Sequence, residues 1–153
     1  LQHLRLRITL DSNGRLHVTH SPCAPPDTTG PWTVALDDRP IDPEDPFLYF
    51  KTTRRNRYDE ARARHPEADD VLLLNPAGEL CESTIGNIVI QKNGQRLTPP
   101  ESCGLLRGTL RDAELAAGKV KEATLTPTDL IHAETAWIIN SVRGWIPIQL
   151  LNS

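Results

Sequence analysis

Three tight-turn signals set most of what this chain can fold into. Asn13-Gly14 and Asn93-Gly94 are dipeptides that tolerate positive φ at both central positions. Asn75-Pro76-Ala77-Gly78 pairs a proline that presets φ with a glycine that closes the turn. Each signal sits between segments of strand character. Leu4, Leu6, Ile8 and Leu10 alternate with Arg5, Arg7 and Thr9, the period of a half-buried strand, and Leu16 and Val18 begin the return over 4–20. Val71-Leu72-Leu73-Leu74 turns back into Glu79-Leu80-Cys81-Glu82. Asn87-Ile88-Val89-Ile90-Gln91 turns back into Gln95-Arg96-Leu97-Thr98. Strands joined this tightly pair antiparallel.

Helical stretches lie between them. The pattern predicts a helix from about Thr52 to Arg64, stopped by Pro66, and another from Leu105 to Ala117, interrupted by Gly108 and ended by Gly118. Thr126-Pro127-Thr128-Asp129 carries a cap residue, a proline at the first helical position and an acid in the first turn, so a short helix ends near Ala133. Val120 to Leu125 reads as a short strand and Trp137 to Val142 as the last strong one. No βαβ alternation and no internal repeat is visible. The expected class is α+β, with a mixed, largely antiparallel sheet.

With 153 residues the chain fits one domain with a real core. A net charge of −3 counts against nucleic acid as a partner, because phosphate neutralisation needs a basic surplus. No apolar run is long enough to span a bilayer, so no membrane partner is expected. Cys23, Cys81 and Cys103 are odd in number and widely spaced, which predicts neither a disulfide framework nor a zinc site and makes a reducing cytoplasm the expected compartment. The chain has no methionine and starts at Leu1, the expectation being a piece of a longer protein. Prolines at 22, 25, 26, 31, 40, 43 and 46 mark 21–46 as a linker in which only Trp32–Leu36 has strand character. The expected division is a hairpin over 1–20, the linker over 21–46, and the main body over 47–153.

Four places could carry chemistry. Lys51 ends the apolar–aromatic run Phe47-Leu48-Tyr49-Phe50; a lysine in a low-dielectric pocket loses its proton and can form an imine with a carbonyl cofactor, although most lysines beside an apolar strand snorkel into solvent. Glu82 lies where a buried strand meets the loop Ser83-Thr84-Ile85-Gly86-Asn87, and could hold a protonated ring nitrogen or serve as a turn acid. Leu106-Arg107-Gly108-Thr109-Leu110 is a helix start whose free backbone N–H groups suit a phosphate. Asn140-Ser141 follows a buried strand and could add a hydroxyl to the same anion. His17 and His20 fall on opposite faces of a strand, and His65 and His132 lack obvious partners, so no metal is expected. No nucleophile-elbow pattern supports hydrolase chemistry.

In order and spacing these segments resemble the class IV aminotransferase family, the fold-type IV pyridoxal-phosphate enzymes. The resemblance rests on Lys51-Thr52-Thr53, Glu82-Ser83-Thr84-Ile85-Gly86-Asn87, Thr98-Pro99 and Leu106-Arg107-Gly108-Thr109-Leu110-Arg111, and covers roughly 47–148. It implies a sheet curled into a pseudo-barrel with peripheral helices, the large domain of that fold. It implies pyridoxal 5'-phosphate as cofactor, with Lys51 as the Schiff-base lysine and catalytic proton shuttle and Glu82 on the pyridine nitrogen. Asn87 belongs to the same cofactor-binding motif. Leu106 would lie on a ring face, and Gly108, Thr109, Leu110 and Ser141 would bind the phosphate. It also implies a small-molecule substrate, a homodimer, and a small N-terminal domain of the same polypeptide that is missing here, so the piece alone need not bind cofactor or be active.

Within the family, Phe47–Arg55 and Asn140-Ser141-Val142-Arg143-Gly144-Trp145 look most like the aminodeoxychorismate lyases, including those fused behind aminodeoxychorismate synthase component I. The implied reaction converts 4-amino-4-deoxychorismate to 4-aminobenzoate and pyruvate in folate biosynthesis. Branched-chain or D-amino-acid transaminases share the fold and are the alternative, and a non-catalytic interaction domain is the third reading.

Overall fold

The computed structural model describes residues 4–23 and 30–151. The expected linker's residues 24–29 lie outside them. Two sheets are present among the described residues. β1 (Leu4–Leu10) and β2 (Leu16–Pro22) form the expected antiparallel hairpin, with Leu10 opposite Leu16 and Leu4 opposite Pro22. Among the described residues it pairs with no other strand, and its large apolar residues are exposed.

The main sheet is a closed barrel. Its strands are β3 (Trp32–Leu36), β4 (Asp70–Leu74), β5 (Leu80–Ser83), β6 (Asn87–Lys92), β7 (Gln95–Thr98), β8 (Lys121–Glu122), β9 (Thr135–Asn140) and β10 (Gly144–Leu150). The order β5-β4-β3-β10-β9-β6 closes because β6 also pairs with β5, Glu82 opposite Asn87. The β7 and β8 strands extend from β6. Most pairings are antiparallel; β3 runs parallel to both β4 and β10, and β7 to β8. The expected mixed, largely antiparallel, curled sheet with peripheral helices is therefore what forms.

Strand periodicity divides the core. Leu72 of β4 and Ile88 and Ile90 of β6 point inward with Val34, Leu80, Ile138, Ile146 and Ile148. Their neighbours point outward: Val71, Leu73 and Cys81 pack beneath α1 (Asn56–Arg64) with Ile41, Leu48 and Ala61, and Val89 and Ile139 pack with Val120 and Leu110 beneath α2 (Thr109–Ala116). Burying both faces explains why these strands read as continuous apolar runs. The third helix, α3 (Pro127–Ile131), is held by a full capping box between Thr126 and Asp129.

Five elements differ from expectation. β10 was not foreseen: Pro147 cannot donate to a ladder and masks the apolar alternation of Ile146, Ile148 and Leu150. The stretch read as a linker supplies β3, a central barrel strand with Val34 fully buried. α1 begins at Asn56, leaving 52–55 irregular, and α2 begins at Thr109 because the Leu106 backbone is already bonded to barrel side chains. The strand expected over 120–125 shortens to two residues.

Candidate functional site

The barrel closes through a tight turn, and that turn builds one wall of a cavity. Ser83 Oγ accepts the backbone N–H of Ile85 at 3.2 Å and of Gly86 at 3.0 Å, reversing the chain so that Glu82 and Asn87 stand side by side. A Cβ at Gly86 would meet the Ile139 carbonyl oxygen at 2.5 Å, so only glycine lets the turn lie against β9. Thr84 donates to buried Asp70 at 2.5 Å and anchors the loop to β4.

Asn87 is buried and donates through Nδ2 to the Leu106 carbonyl at 2.8 Å. Glu82 Oε2 accepts the Leu106 N–H at 3.2 Å. Two barrel side chains thus hold one residue of the approach to α2. A Cβ on Gly108 would collide with Asn87 Oδ1, so glycine is required where the chain enters the helix. Gly108 caps α2 in extended conformation with no side-chain cap bond, leaving the first N–H groups open.

Glu82 is 4 % exposed. Burial pushes its carboxyl up to about 7, against the opposing pulls of Tyr58, the Leu106 N–H, Lys51 and Arg55. Tyr58, one turn into α1, donates its hydroxyl to Glu82 Oε1 at 2.6 Å, and burial beside that carboxyl raises the phenol's pKa. Arg55 lies over the Tyr58 ring at 4.9 Å and donates to the Thr84 carbonyl at 2.7 Å, tying the lead-in of α1 to the closing turn.

These groups surround a cavity of about 330 Å³, the size of a small-molecule site. Lys51, Glu82, Asn87 and Leu106 line it, as do Gly108, Thr109 and Ser141. Leu110 does not: its side chain packs on the Val89, Val120 and Ile139 cluster, and its backbone lies in the first turn of α2. Lys51 and Ser141 are exposed at the rim. Ser141 is presented by a turn in which Asn140 Oδ1 accepts the N–H groups of Val142 at 3.0 Å and Arg143 at 2.8 Å.

Sequence reasoning missed Tyr58, Arg54, Arg55 and the turn-shaping role of Asn140. An aromatic in the otherwise polar Asn56-Arg57-Tyr58-Asp59-Glu60 was the available signal for Tyr58. Nothing local distinguished Arg54 and Arg55 from their neighbouring arginines. Asp37, Asp38 and His65 are close enough to share an ion, but Arg64 already fills that position, donating to both Asp37 oxygens at 2.9 and 2.5 Å.

The model of the amino-transferase class IV family matches residues 2–151. A Schizosaccharomyces pombe protein provisionally named an aminodeoxychorismate lyase is 37 % identical over 121 residues, covering 74 % of this chain and 52 % of its own. A Thermotoga maritima protein provisionally named a branched-chain-amino-acid aminotransferase is 27 % identical over 158 residues, covering 99 % of this chain and 58 % of its own. The chain thus spans about half the length of the curated relatives it matches. A Mesorhizobium loti crystal structure, provisionally described as an amino-acid aminotransferase, superposes with a TM-score of 0.92 at 36 % identity, over 97 % of this chain and 73 % of that one.

Proposed function

Since the chain belongs to the amino-transferase class IV family, whose members work with pyridoxal 5'-phosphate, we propose that the cavity is a cofactor site built around Lys51 and that the full-length protein is a lyase converting 4-amino-4-deoxychorismate to 4-aminobenzoate and pyruvate. The observation that carries the cofactor reading is the pairing of a buried carboxyl with an uncapped helix start across one small cavity that also holds a lysine. Each part suits one part of the cofactor. A cationic ring nitrogen is the partner that would return a carboxyl near 7 to its charged form. The open N–H groups of α2, the glycine-only approach at Gly108 and the Ser141 hydroxyl suit a phosphate.

Bound there, the cofactor supplies an electrophilic carbonyl and a ring that draws electron density away from the substrate. The chain's own residues do the rest. Lys51 would hold the group through Nζ, and its amine is the base that would take the proton from the substrate ring carbon bearing the amino group. That proton would pass to the methylene carbon of the enolpyruvyl group, which leaves as pyruvate when its C–O bond to the ring breaks and the ring aromatises. Glu82 would keep the ring nitrogen protonated, its orientation fixed by the Tyr58 hydroxyl and the Leu106 N–H. Leu106, which lines the cavity, would lie on a ring face. Phe47 and Phe50, exposed at the rim, offer apolar surface to the substrate. A homodimer, typical of the family, and a preceding small domain belong to the same proposal.

The likeness of 140–145 to lyases and the Schizosaccharomyces pombe relative favour the lyase reading. The Mesorhizobium loti structure favours amino transfer on the same Lys51 and Glu82. Assay of the full-length protein separates them: pyruvate release from 4-amino-4-deoxychorismate supports the lyase, and amino transfer to a keto acid without pyruvate release overturns it. An absorption band with added cofactor, lost in Lys51→Ala, supports the site assignment. Absence of the band in the full-length protein would favour a non-catalytic interaction domain.

A further inference from the structure

The segment 51–64 carries six cations, and the structure sorts them into two groups. Arg57, Arg62 and Arg64 are ion-paired, with Asp45 at 3.0 Å, Asp70 at 3.2 Å and Asp37 at 2.5 Å. Lys51, Arg54 and Arg55 line the cavity, and none of them has a carboxylate within ion-pair distance among the described residues. Lys51 has its role in the proposed reaction, and Arg55 is engaged by the Thr84 carbonyl and the Tyr58 ring. Arg54 is different. Its guanidinium is exposed and stacked on the Phe47 ring at 4.3 Å, and no hydrogen-bond acceptor among the described residues occupies its donors. The stacking fixes one face of the fork and leaves its N–H edge free at the cavity rim.

A planar, pre-organised guanidinium with unused donors is a receptor for a carboxylate. The phosphate seat lies elsewhere, at α2 and Ser141, so the cofactor does not need it. We infer that Arg54 determines substrate specificity by binding a substrate carboxylate remote from the reacting amine, which selects dicarboxylates over monocarboxylates. This rests on the cavity being the reaction site and deepens that reading, because 4-amino-4-deoxychorismate carries two carboxylates and a branched-chain amino acid one.

The test is calorimetric titration of the full-length, cofactor-loaded protein with isophthalate and with benzoate, aromatic probes carrying two carboxylates and one. Wild type should prefer isophthalate. Arg54→Ala should weaken isophthalate binding by about tenfold to a hundredfold, the loss expected for a charge-assisted hydrogen-bonded pair, and leave benzoate binding unchanged. Arg54→Lys should retain part of the preference, since it keeps the charge and loses the fork. Equal loss for both probes, no loss, or no preference in wild type would overturn the inference. Failure of the lyase reading is seen separately, as absence of pyruvate release by wild type; glutamate against leucine as amino donors then reads the same preference, and Arg54→Ala should narrow that ratio.

Discussion

Glu82 sits at the meeting point of the barrel closure, α1 and the approach to α2, and its environment makes stability depend on pH. Its carboxyl rises from 4.5 to about 7 in the folded protein. A raised carboxyl binds its proton more tightly folded than unfolded, so its stabilising contribution is complete below about 4.5 and is lost as pH climbs through about 7. Without cofactor, the urea midpoint should fall between pH 4.5 and pH 8 by the equivalent of about 2–4 kcal/mol from this group. Glu82→Gln should flatten that slope, and added cofactor should reduce it by giving the carboxylate a cationic partner. A slope equal in wild type and Glu82→Gln would show that the group does not titrate this way. Tyr58→Phe removes one of the two donors on Glu82 and should weaken cofactor binding by about 1–2 kcal/mol, measured as the cofactor dissociation constant. Among the cavity-lining residues, Glu82 and Ser141 were visible because chemistry-bearing types stood at strand ends, and Lys51 because it closed an apolar–aromatic run. Tyr58 was not, because its partner is 24 positions away in the chain.

At the scale of elements, the start of α2 is set from outside the helix. Gly108 enters the helix in extended conformation with Asn87 standing where a Cβ would go, and Leu106 is held by Asn87 and Glu82. The helix expected over 105–117 loses its first four residues, since these long-range bonds outweigh one turn's worth of local preference. Gly108→Ala should push the first turn of α2 off its seat and lower cofactor affinity by tenfold or more, an effect of about 1.4 kcal/mol, with the far-ultraviolet circular dichroism unchanged. α3 is the opposite case: its capping box was legible because it is local. Thr126→Ala should cost about 1 kcal/mol, read as a lower thermal midpoint.

For the whole molecule, stability follows closure. Within the barrel β4, β5 and β6 bury both faces, whereas the β1–β2 hairpin buries neither and pairs with nothing described. Two-stranded hairpins are marginal alone, so amide hydrogen exchange should be fast in β1 and β2 and slowest in β4, β6 and β9. Ile146→Asp, placing a charge where the side chain is 3 % exposed between β9 and β3, should prevent cooperative unfolding from being observed at all, and a cooperative transition near the wild-type midpoint would count against closure as the source of stability. The amino-acid sequence by itself determined the hairpins, the turn positions, the two-faced burial of β4 and β6 and the α3 cap, because turns, strand period and caps act within a few residues. Only the tertiary structure decided that β3 and β10 lie side by side, that β9 meets β6 in the ring, and that Lys51, Tyr58, Glu82 and the start of α2 share one cavity. Those contacts join positions far apart in the chain, where parallel pairing and charge partnership leave no local pattern to read.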